Sequence, residues 1–335
     1  MNTPNVSEQL RVFRKHLDSV SKRDQWNYVD IYIAGVPIRI QSWDSELMRT
    51  FTLPFARFAE VHEIPRRTIQ LVSLHWLREQ GIAPQWQWEF DTYSDPGGYI
   101  SFNRASREMT AFDFENDNYL IALDRLDEAS WLRPERSRPL IEKFMSPHGL
   151  VSLHGGTIGR GNSGVLLSAR GGSGKSSLVA AAIRRGLNTT GDDFLLLEPG
   201  NDRAPAKIWS LYRWIKLAPS SPAWIDSLGD FEEINKTVVG EKSILSFERI
   251  YPEAFTRYQN PSAVIVPSLG GSARLAQINP LEALAAVLPS SVGMSSRKFE
   301  ATIQLKGLVE SLPCYSLEIG ENLDQALDLV EQLLQ

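Results

Sequence analysis

The chain has 335 residues, a net charge of −5, 42% apolar residues and 22% charged residues. This composition is typical of a globular protein with a sizeable core, and the length predicts two domains. Because the basic residues are scattered, we expect no nucleic-acid partner. Cys314 is the only cysteine, which excludes an internal disulfide and a metal site built from several thiolates.

No membrane segment is predicted. The first ten residues are polar and lack the apolar centre of a signal peptide, and no later apolar run approaches the length of a membrane-spanning helix. We therefore expect a cytoplasmic protein without a membrane partner, and homo-oligomerisation is left open.

The first half of the chain is predicted to be rich in strands. Residues 28–33 and 36–40 flank Ala34-Gly35, which predicts a β-hairpin. Further strands are expected at 68–74, 85–90, 99–103 and 108–114, with helices near 45–58 and 134–145.

A composition shift near Ser146 predicts a domain boundary. We expect an α+β domain over residues 1–146 and a second domain over residues 147–335. Trp86, Trp88 and Phe90 alternate in the first domain, so they share one face of a strand. Such a stripe is more typical of a core, and the alternative is a surface that docks a substrate peptide.

A glycine-rich segment at the middle of the chain has the layout of a phosphate-binding loop. The apolar strand Val165-Leu-Leu167 precedes it, and a helix-forming stretch that stops at Gly186 follows it. Ala169 stands where the G-x-x-x-x-G-K-[ST] pattern has its first glycine, and it fits if its φ stays negative. The alternative is a glycine-rich turn without a ligand.

The loop predicts binding of ATP with Mg²⁺. Its backbone N–H groups would surround the phosphates, Lys175 would reach the terminal phosphates, and the Ser176 hydroxyl would ligate Mg²⁺. The predicted nucleotide contacts are Ala169, Arg170, Gly171, Gly172, Ser173, Gly174, Lys175, Ser176 and Ser177.

Asp192 and Asp193 stand at the start of the strand after the loop helix, where loops of open α/β sheets approach a ligand. One carboxylate would hold Mg²⁺, and the other would accept the proton of an acceptor hydroxyl. We expect Asp193 to ligate the metal together with Ser176. Which Asp takes which role is left open, and the alternative is a solvated turn.

The C-terminal part predicts further strands rather than regular alternation of strand and helix, which favours a mixed sheet. Residues 262–267 and 273–277 flank Gly270-Gly271 and predict a second hairpin. Helices are expected at 280–288, 298–309 and 322–334.

His154-Gly155 lies 21 residues before Lys175, and Asp192 and Asp193 lie 17 and 18 residues after it. This series of His-Gly, strand, loop, helix and Asp-Asp resembles the HPr serine kinase/phosphorylase family. The fold of that family is related to phosphoenolpyruvate carboxykinase. The resemblance covers residues 150–200 and implies an α/β P-loop kinase domain preceded by a smaller α+β domain.

The resemblance also implies an ATP-dependent serine kinase with His154, Lys175, Asp192 and Asp193 in its active site. The family's glycine-rich signature downstream of the Asp pair and its basic C-terminal loop are not found, so we do not expect HPr as the substrate. The chain looks more like divergent relatives that phosphorylate a peptide, including lasso-peptide precursors. A peptide or protein with an acceptor serine is thus the expected partner.

Two other functions stay open from the sequence. One is a kinase for a small hydroxylated metabolite, and the other is a nucleotide-binding regulator with little turnover. GTP or pyrophosphate as the phosphoryl donor is also left open.

Overall fold

The structure is a computed structural model. It describes the residues 26–53, 55, 65, 67–79, 92–95, 98–103, 108–114, 118–123, 141–142, 144–145, 148–212, 214–217, 237–239, 242–245, 251–292 and 298–335. Backbone contacts divide the chain into unit 1, residues 1–53 and 57–131, and unit 2, residues 54–56 and 132–335. Residues 146 and 147 and the stripe from Trp86 to Phe90 lie outside the described ranges, so the predicted boundary and the role of the stripe stay predictions.

Unit 1 contains a seven-stranded mixed sheet with the strand order β1-β2-β3-β7-β6-β5-β4. The pairs β2–β3 and β3–β7 are parallel and the other pairs are antiparallel. Its elements are β1 (Asn27–Ile33), β2 (Val36–Ser42), α1 (Ser45–Thr52), β3 (Arg67–Ser73), α2 (Leu74–Glu79), β4 (Thr92–Asp95), β5 (Gly98–Asn103), β6 (Glu108–Asp113) and β7 (Asn118–Leu123).

The predicted first hairpin is confirmed. Ala34 and Gly35 have φ of 50° and 79°, the positive values that a tight turn between two right-twisted strands requires. β1 and β2 pair in register from Ile33↔Val36 onward. The side chain of Asp44 then accepts hydrogen bonds from two backbone N–H groups and begins α1.

Unit 2 contains an eight-stranded mixed sheet and a three-stranded antiparallel sheet of order β13-β15-β14. Its strands are β8 (Val151–His154), β9 (Gly156–Arg160), β10 (Ser163–Leu167), β11 (Phe194–Glu198), β12 (Lys207–Ser210), β13 (Ile215–Leu217), β14 (Thr237–Val239), β15 (Lys242–Leu245), β16 (Tyr258–Leu269), β17 (Arg274–Ile278) and β18 (Cys314–Ile319). Its helices are α3 (Lys175–Arg184), α4 (Pro280–Ser291), α5 (Lys298–Ser311) and α6 (Leu323–Glu331), with 3-10 turns at Pro252–Ala254 and Gln332–Leu334.

Two hydrophobic cores lie on the two faces of the larger sheet. Val165 and Leu167 of β10 belong to a core with α3 and α6, whereas Leu166 belongs to a core with α4 and α5. This split follows from the alternation of side chains along a strand. Helices thus cover both faces, which explains why the last three residues of β10 and the first four of β11 are all apolar. The predicted α/β class with a mixed sheet is confirmed.

The helix after the glycine-rich segment ends as the sequence predicts. Gly186 has a φ of 84°, its N–H donates to the carbonyl of Ile183, and the N–H of Leu187 donates to that of Ala182. These two bonds form a Schellman motif, in which a left-handed residue closes the last helical turn. At the other end of α3, the N-cap residue is Gly174, which also has a positive φ, 88°.

The predicted second hairpin is wrong. β16 and β17 do not pair, because β18 lies between them, parallel to β16 and antiparallel to β17. The turn around Gly270-Gly271 instead crosses the end of β18, where the N–H of Gly270 donates to the carbonyl of Ile319. β18 takes the central place because Leu317 and Ile319 are buried in the core, whereas β17 is half-exposed.

The single cysteine is buried and unpaired, as a small apolar core residue would be. Burial also raises the pKa of the Cys314 thiol. Within the described ranges, no helix is both long enough and apolar enough to cross a membrane.

Candidate active site

A cleft of about 300 Å³ lies in unit 2, at the carboxyl ends of three strands that run parallel. β10 ends just before the glycine-rich loop, and the ends of β16 and β18 are register partners, Leu269↔Ile319. Ligands of α/β sheets bind at such strand ends. The cleft is lined by His154, Gly171, Gly172, Ser173, Gly174, Lys175, Ser176, Ser177, Asp192, Asp193, Lys216, Leu269, Ile319, Gly320, Glu321 and Leu323.

The loop curls around the side chain of Lys175. Its ammonium donates to the carbonyl oxygens of Ala169 at 2.7 Å and Arg170 at 2.9 Å, and lies 3.4 Å from Oγ of Ser173. Gly172 and Gly174 have positive φ, whereas Ala169 does not, as the sequence analysis requires. Lys175 is buried and held at the centre of the loop, next to the N-terminus of α3.

His154 is fixed through its backbone at the opposite wall. Its N–H donates to Oγ of Ser291 at 3.1 Å, and its carbonyl accepts from Oγ of Ser168 at 2.8 Å. The next residue, Gly155, packs so closely on β10 that a Cβ would lie 2.5 Å from the carbonyl oxygen of Leu167. This explains why glycine follows the histidine.

Three buried threonines hold the segment that leads to the Asp pair. Oγ1 of Thr157 lies 2.8 Å from Oγ1 of Thr190 and 3.4 Å from Oγ1 of Thr189, and it also accepts the backbone N–H of Thr190. The chain then passes through Gly191, with a φ of 138°, and reaches Asp193, with a φ of 77°. A left-handed residue that is not glycine carries backbone strain, and such strain is often found at functional sites.

Asp192 is buried beside the loop. Both of its carboxylate oxygens are inaccessible and make no well-aligned hydrogen bond, although the Ser176 hydroxyl lies close enough to affect the pKa of the carboxyl group. Burial and the charge of Asp193 raise the pKa of Asp192 to about 6, against the smaller opposing effects of Ser176 and Lys175. A carboxyl group with this pKa can accept a proton near neutral pH.

Asp193 has the opposite environment. Its Oδ2 lies 3.0 Å from Nζ of Lys216, and its Oδ1 lies 3.5 Å from Nε2 of His154. Burial opposes ionisation, but the hydrogen bonds and charges of His154 and Lys216 outweigh it and lower the pKa of Asp193 to about 2. The pair thus contains one carboxylate that stays ionised and one that titrates near neutrality.

The residues fit a divalent cation that arrives with phosphate. Unpaired, buried carboxylate oxygens on Asp192, next to the Ser176 hydroxyl, are the hard oxygen donors that Mg²⁺ prefers. Among the described residues, no group of three or more His, Cys, Asp or Glu could hold a metal alone. Mg²⁺ usually needs only one or two carboxylates beside substrate phosphates and water, so this composition suits it.

Most of the predicted site residues meet in this cleft. Ala169 and Arg170 do not line it, because Ala169 is buried beneath the loop and Arg170 is exposed; only their carbonyl groups contact Lys175. Of the two aspartates, it is Asp192 whose carboxyl group interacts with the Ser176 hydroxyl, whereas Asp193 interacts with His154 and Lys216. The roles of all these residues stay predictions.

Sequence analysis missed the remaining wall of the cleft. The sequence offers Lys216 as a cation for the transferred phosphate or, preferably, as an ordinary strand-edge charge, and nothing in its neighbours indicates that it reaches Asp193. Leu269 and Ile319 come from strands that meet only in three dimensions. A correct prediction of the parallel pair β16–β18 would have located their ends beside the loop.

No protein-family model matches the chain, and no curated protein matches it. Among solved structures, the chain is similar to "Structure of the Hpr(Ser) kinase/phosphatase from Coxiella burnetii", with 14% identity over 54% of this chain and 92% of that chain. The TM-score is 0.29, which indicates a distant likeness only. This likeness assigns no role to any residue, so the roles proposed below are based on the geometry of the cleft.

Proposed function

We propose that the protein is a P-loop kinase that transfers phosphate from MgATP to the serine hydroxyl of a peptide or small protein. The observation that supports it best is the cleft itself, in which Lys175 and the glycine-rich loop face the buried, unpaired carboxylate of Asp192. Phosphoryl transfer requires bound phosphates, charge neutralisation and an aligned acceptor, and these groups suit each of the three needs.

In this proposal the loop and the N-terminus of α3 bind the phosphates, and Lys175 exchanges its carbonyl partners for phosphate oxygens. Mg²⁺ supplies charge neutralisation at the phosphates when it is bound. Ser176 with Asp192 or Asp193 would hold the cation, and Asp192 is the favoured residue to accept the hydroxyl proton because its pKa is about 6. Asp193, held ionised, would add negative charge near the metal.

A small-metabolite kinase and a nucleotide-binding regulator use the same loop. The buried pair of carboxylates with separated pKa values favours an enzyme over a regulator, because such pairs are typical of acid and base roles. The peptide acceptor rests on the resemblance of the motif series around residues 154–193.

The first test compares the Lys175→Ala and Asp192→Asn variants. We expect Lys175→Ala to abolish MgATP binding in calorimetry, since the ammonium is the main cation of the loop. Asp192→Asn should keep ATP binding in the absence of Mg²⁺ but lower phosphoryl transfer by about 10²–10⁴. Transfer is measured with labelled ATP on a serine-peptide library and, separately, on small hydroxylated metabolites.

Each alternative has a distinct outcome. Transfer to metabolites alone would identify the second candidate, and MgATP binding without transfer to any acceptor would favour the regulator. Equal ATP affinity in the wild type and in Lys175→Ala would contradict the nucleotide site itself.

A further inference from the structure

The cleft contains a second buried lysine, Lys216, and its partner is Asp193 rather than the glycine-rich loop. Lys216 lines the cleft and its ammonium lies 3.0 Å from Oδ2 of Asp193. The other oxygen, Oδ1, lies 3.5 Å from Nε2 of His154. The carboxylate of Asp193 is therefore held from both sides.

Strand geometry brings Lys216 to this place. It is the central residue of β13, between Ile215 and Leu217, which are buried in the core with α3. Because side chains alternate along a strand, Lys216 faces the opposite side, toward Asp193. Burying an ammonium group is costly unless a nearby carboxylate compensates its charge, so Lys216 and Asp193, whose charged atoms lie 3.0 Å apart, depend on each other.

Asp193 needs such an anchor because of its backbone. Its φ of 77° lies in the left-handed region, which costs free energy for a residue with a side chain. Asp192 is the preceding residue, and its buried carboxylate interacts with the Ser176 hydroxyl. Any change of the backbone at Asp193 would therefore move the carboxylate of Asp192 relative to the loop.

We propose that Lys216 is a positioning residue of the nucleotide site: it holds Asp193 in place, and through Asp193 it fixes Asp192 beside Ser176, without binding phosphate itself. This inference rests on the proposed function, because it assigns Lys216 a part in the same site. A residue that orients a metal ligand or its neighbour changes metal affinity, typically about 10-fold or more.

The test is a double-mutant cycle on the full-length protein with Lys216→Met, Asp193→Asn and the double variant. Met keeps the length of the lysine stem, and Asn tolerates a positive φ. Calorimetry measures ATP affinity with and without Mg²⁺, and the ratio of the two affinities is the readout. This ratio can be measured without a phosphate acceptor.

We expect Lys216→Met to lower the Mg²⁺-dependent gain in ATP affinity by about 10-fold. ATP affinity without Mg²⁺ should stay within about 2-fold of the wild type, since Lys216 does not bind phosphate. In the Asp193→Asn background, Lys216→Met should change the ratio by less than about 2-fold, because the partner through which it acts is already neutral. Lys216→Arg keeps a positive charge beside Asp193, so it should retain most of the Mg²⁺-dependent gain in ATP affinity that Lys216→Met loses.

The opposite results are equally clear. A loss of metal-free ATP affinity that is the same in both backgrounds would show that Lys216 binds phosphate directly. No change in any variant would show that the ion pair serves folding alone. A wild type that binds no ATP with or without Mg²⁺ would instead reject the proposed function, and this inference with it.

Two controls separate positioning from unfolding. Lys207→Met removes a lysine that pairs with Glu198 at 3.2 Å and does not line the cleft, so it should leave the ratio unchanged. The double variant removes both members of the buried pair and leaves no uncompensated charge, so it should fold even if Lys216→Met alone is unstable. Thermal unfolding of each variant checks this.

Discussion

At the scale of single residues, Asp192 and Asp193 differ in what surrounds them although they are adjacent in sequence. Neither the oxygens of Asp192 nor Oδ2 of Asp193 make a well-aligned hydrogen bond, but Oδ2 of Asp193 lies 3.0 Å from the ammonium of Lys216 and Oδ1 lies 3.5 Å from Nε2 of His154. Burial therefore dominates the pKa of Asp192, and bound partners dominate that of Asp193. Separated pKa values in one pair provide a group that can accept a proton and a group that keeps its charge.

This contrast predicts opposite effects of two similar substitutions on stability. The pKa of Asp192 rises from 3.8 to about 6 on folding, so its ionised form destabilises the protein above pH 6 and the penalty disappears as the pH falls toward 3.8. Asp192→Asn should therefore raise the free energy of unfolding at pH 7.5 by up to about 3 kcal/mol. Most of this difference should be gone at pH 4.

Asp193→Asn should do the reverse. Its folded pKa of about 2 lies below 3.8, so the ionised form stabilises the protein above pH 3.8 and the contribution is lost as the pH falls toward 2. The Asn variant should lose about 2–3 kcal/mol at pH 7.5 and leave Lys216 unpaired. Denaturant titrations without Mg²⁺ measure both variants, and shifts of the same sign would contradict these environments.

Some residue-level features could be predicted from the sequence and others could not. The negative φ of Ala169 follows from the requirements of the loop, and the structure agrees. The ion pair of Lys216 with Asp193 joins residues from two strands that the sequence does not show to be neighbours. Local patterns predict local backbone, whereas a contact of this kind depends on the tertiary fold.

At the scale of elements, the two ends of α3 both depend on a left-handed glycine. Gly174 begins the helix at the cleft, where an added Cβ would lie 2.9 Å from Cδ1 of Ile319 and 3.1 Å from Cδ2 of Leu269. Gly186 ends it, and an added Cβ there would have no neighbour within 4 Å. The two positions share the backbone requirement and differ in their surroundings.

Substituting each glycine with alanine should separate stability from binding. Gly186→Ala should cost about 1 kcal/mol of unfolding free energy, the usual cost of a left-handed residue with a side chain, and should leave MgATP affinity unchanged. Gly174→Ala places the same backbone strain within the glycine-rich loop and also crowds the side chain of Ile319, so it should weaken MgATP binding by roughly 10-fold. Denaturant titration and calorimetry test the pair. Equal MgATP affinity in the two variants would argue against a role for the backbone of the loop.

Elements with strong local signals were predictable, and their pairing was less so. The turn at Ala34-Gly35 and the stop at Gly186 use glycine at positive φ, which a sequence shows directly. The sequence also placed strands near 262–267 and 273–277, but β18 separates them in the sheet. The order of β16, β18 and β17 depends on which strand buries more apolar surface. The sequence does not predict β9, because Gly156–Arg160 has little apolar character.

At the scale of the whole molecule, unit 2 has the arrangement that lets one loop reach a ligand. Helices cover both faces of its sheet, and the parallel strands β10, β16 and β18 end at the same edge. The cleft at that edge contains the glycine-rich loop and the Asp pair, so every residue of the proposed mechanism comes from unit 2. The acceptor is not defined by these residues, because phosphate binding is common to many kinases.

The last prediction concerns that acceptor: HPr should not be a substrate. The sequence resembles the HPr serine kinase/phosphorylase family only over residues 150–200, and the family's downstream glycine-rich signature is absent. In its place, residues 207–217 contain β12 and β13, which bring Lys216 to the cleft. Labelled ATP, Mg²⁺ and HPr, with an authentic HPr kinase/phosphorylase as the positive control, should give no phosphoserine with this protein. Transfer to the seryl site at a rate comparable to the control would show that the missing signature is dispensable, and would make HPr the acceptor in place of another peptide.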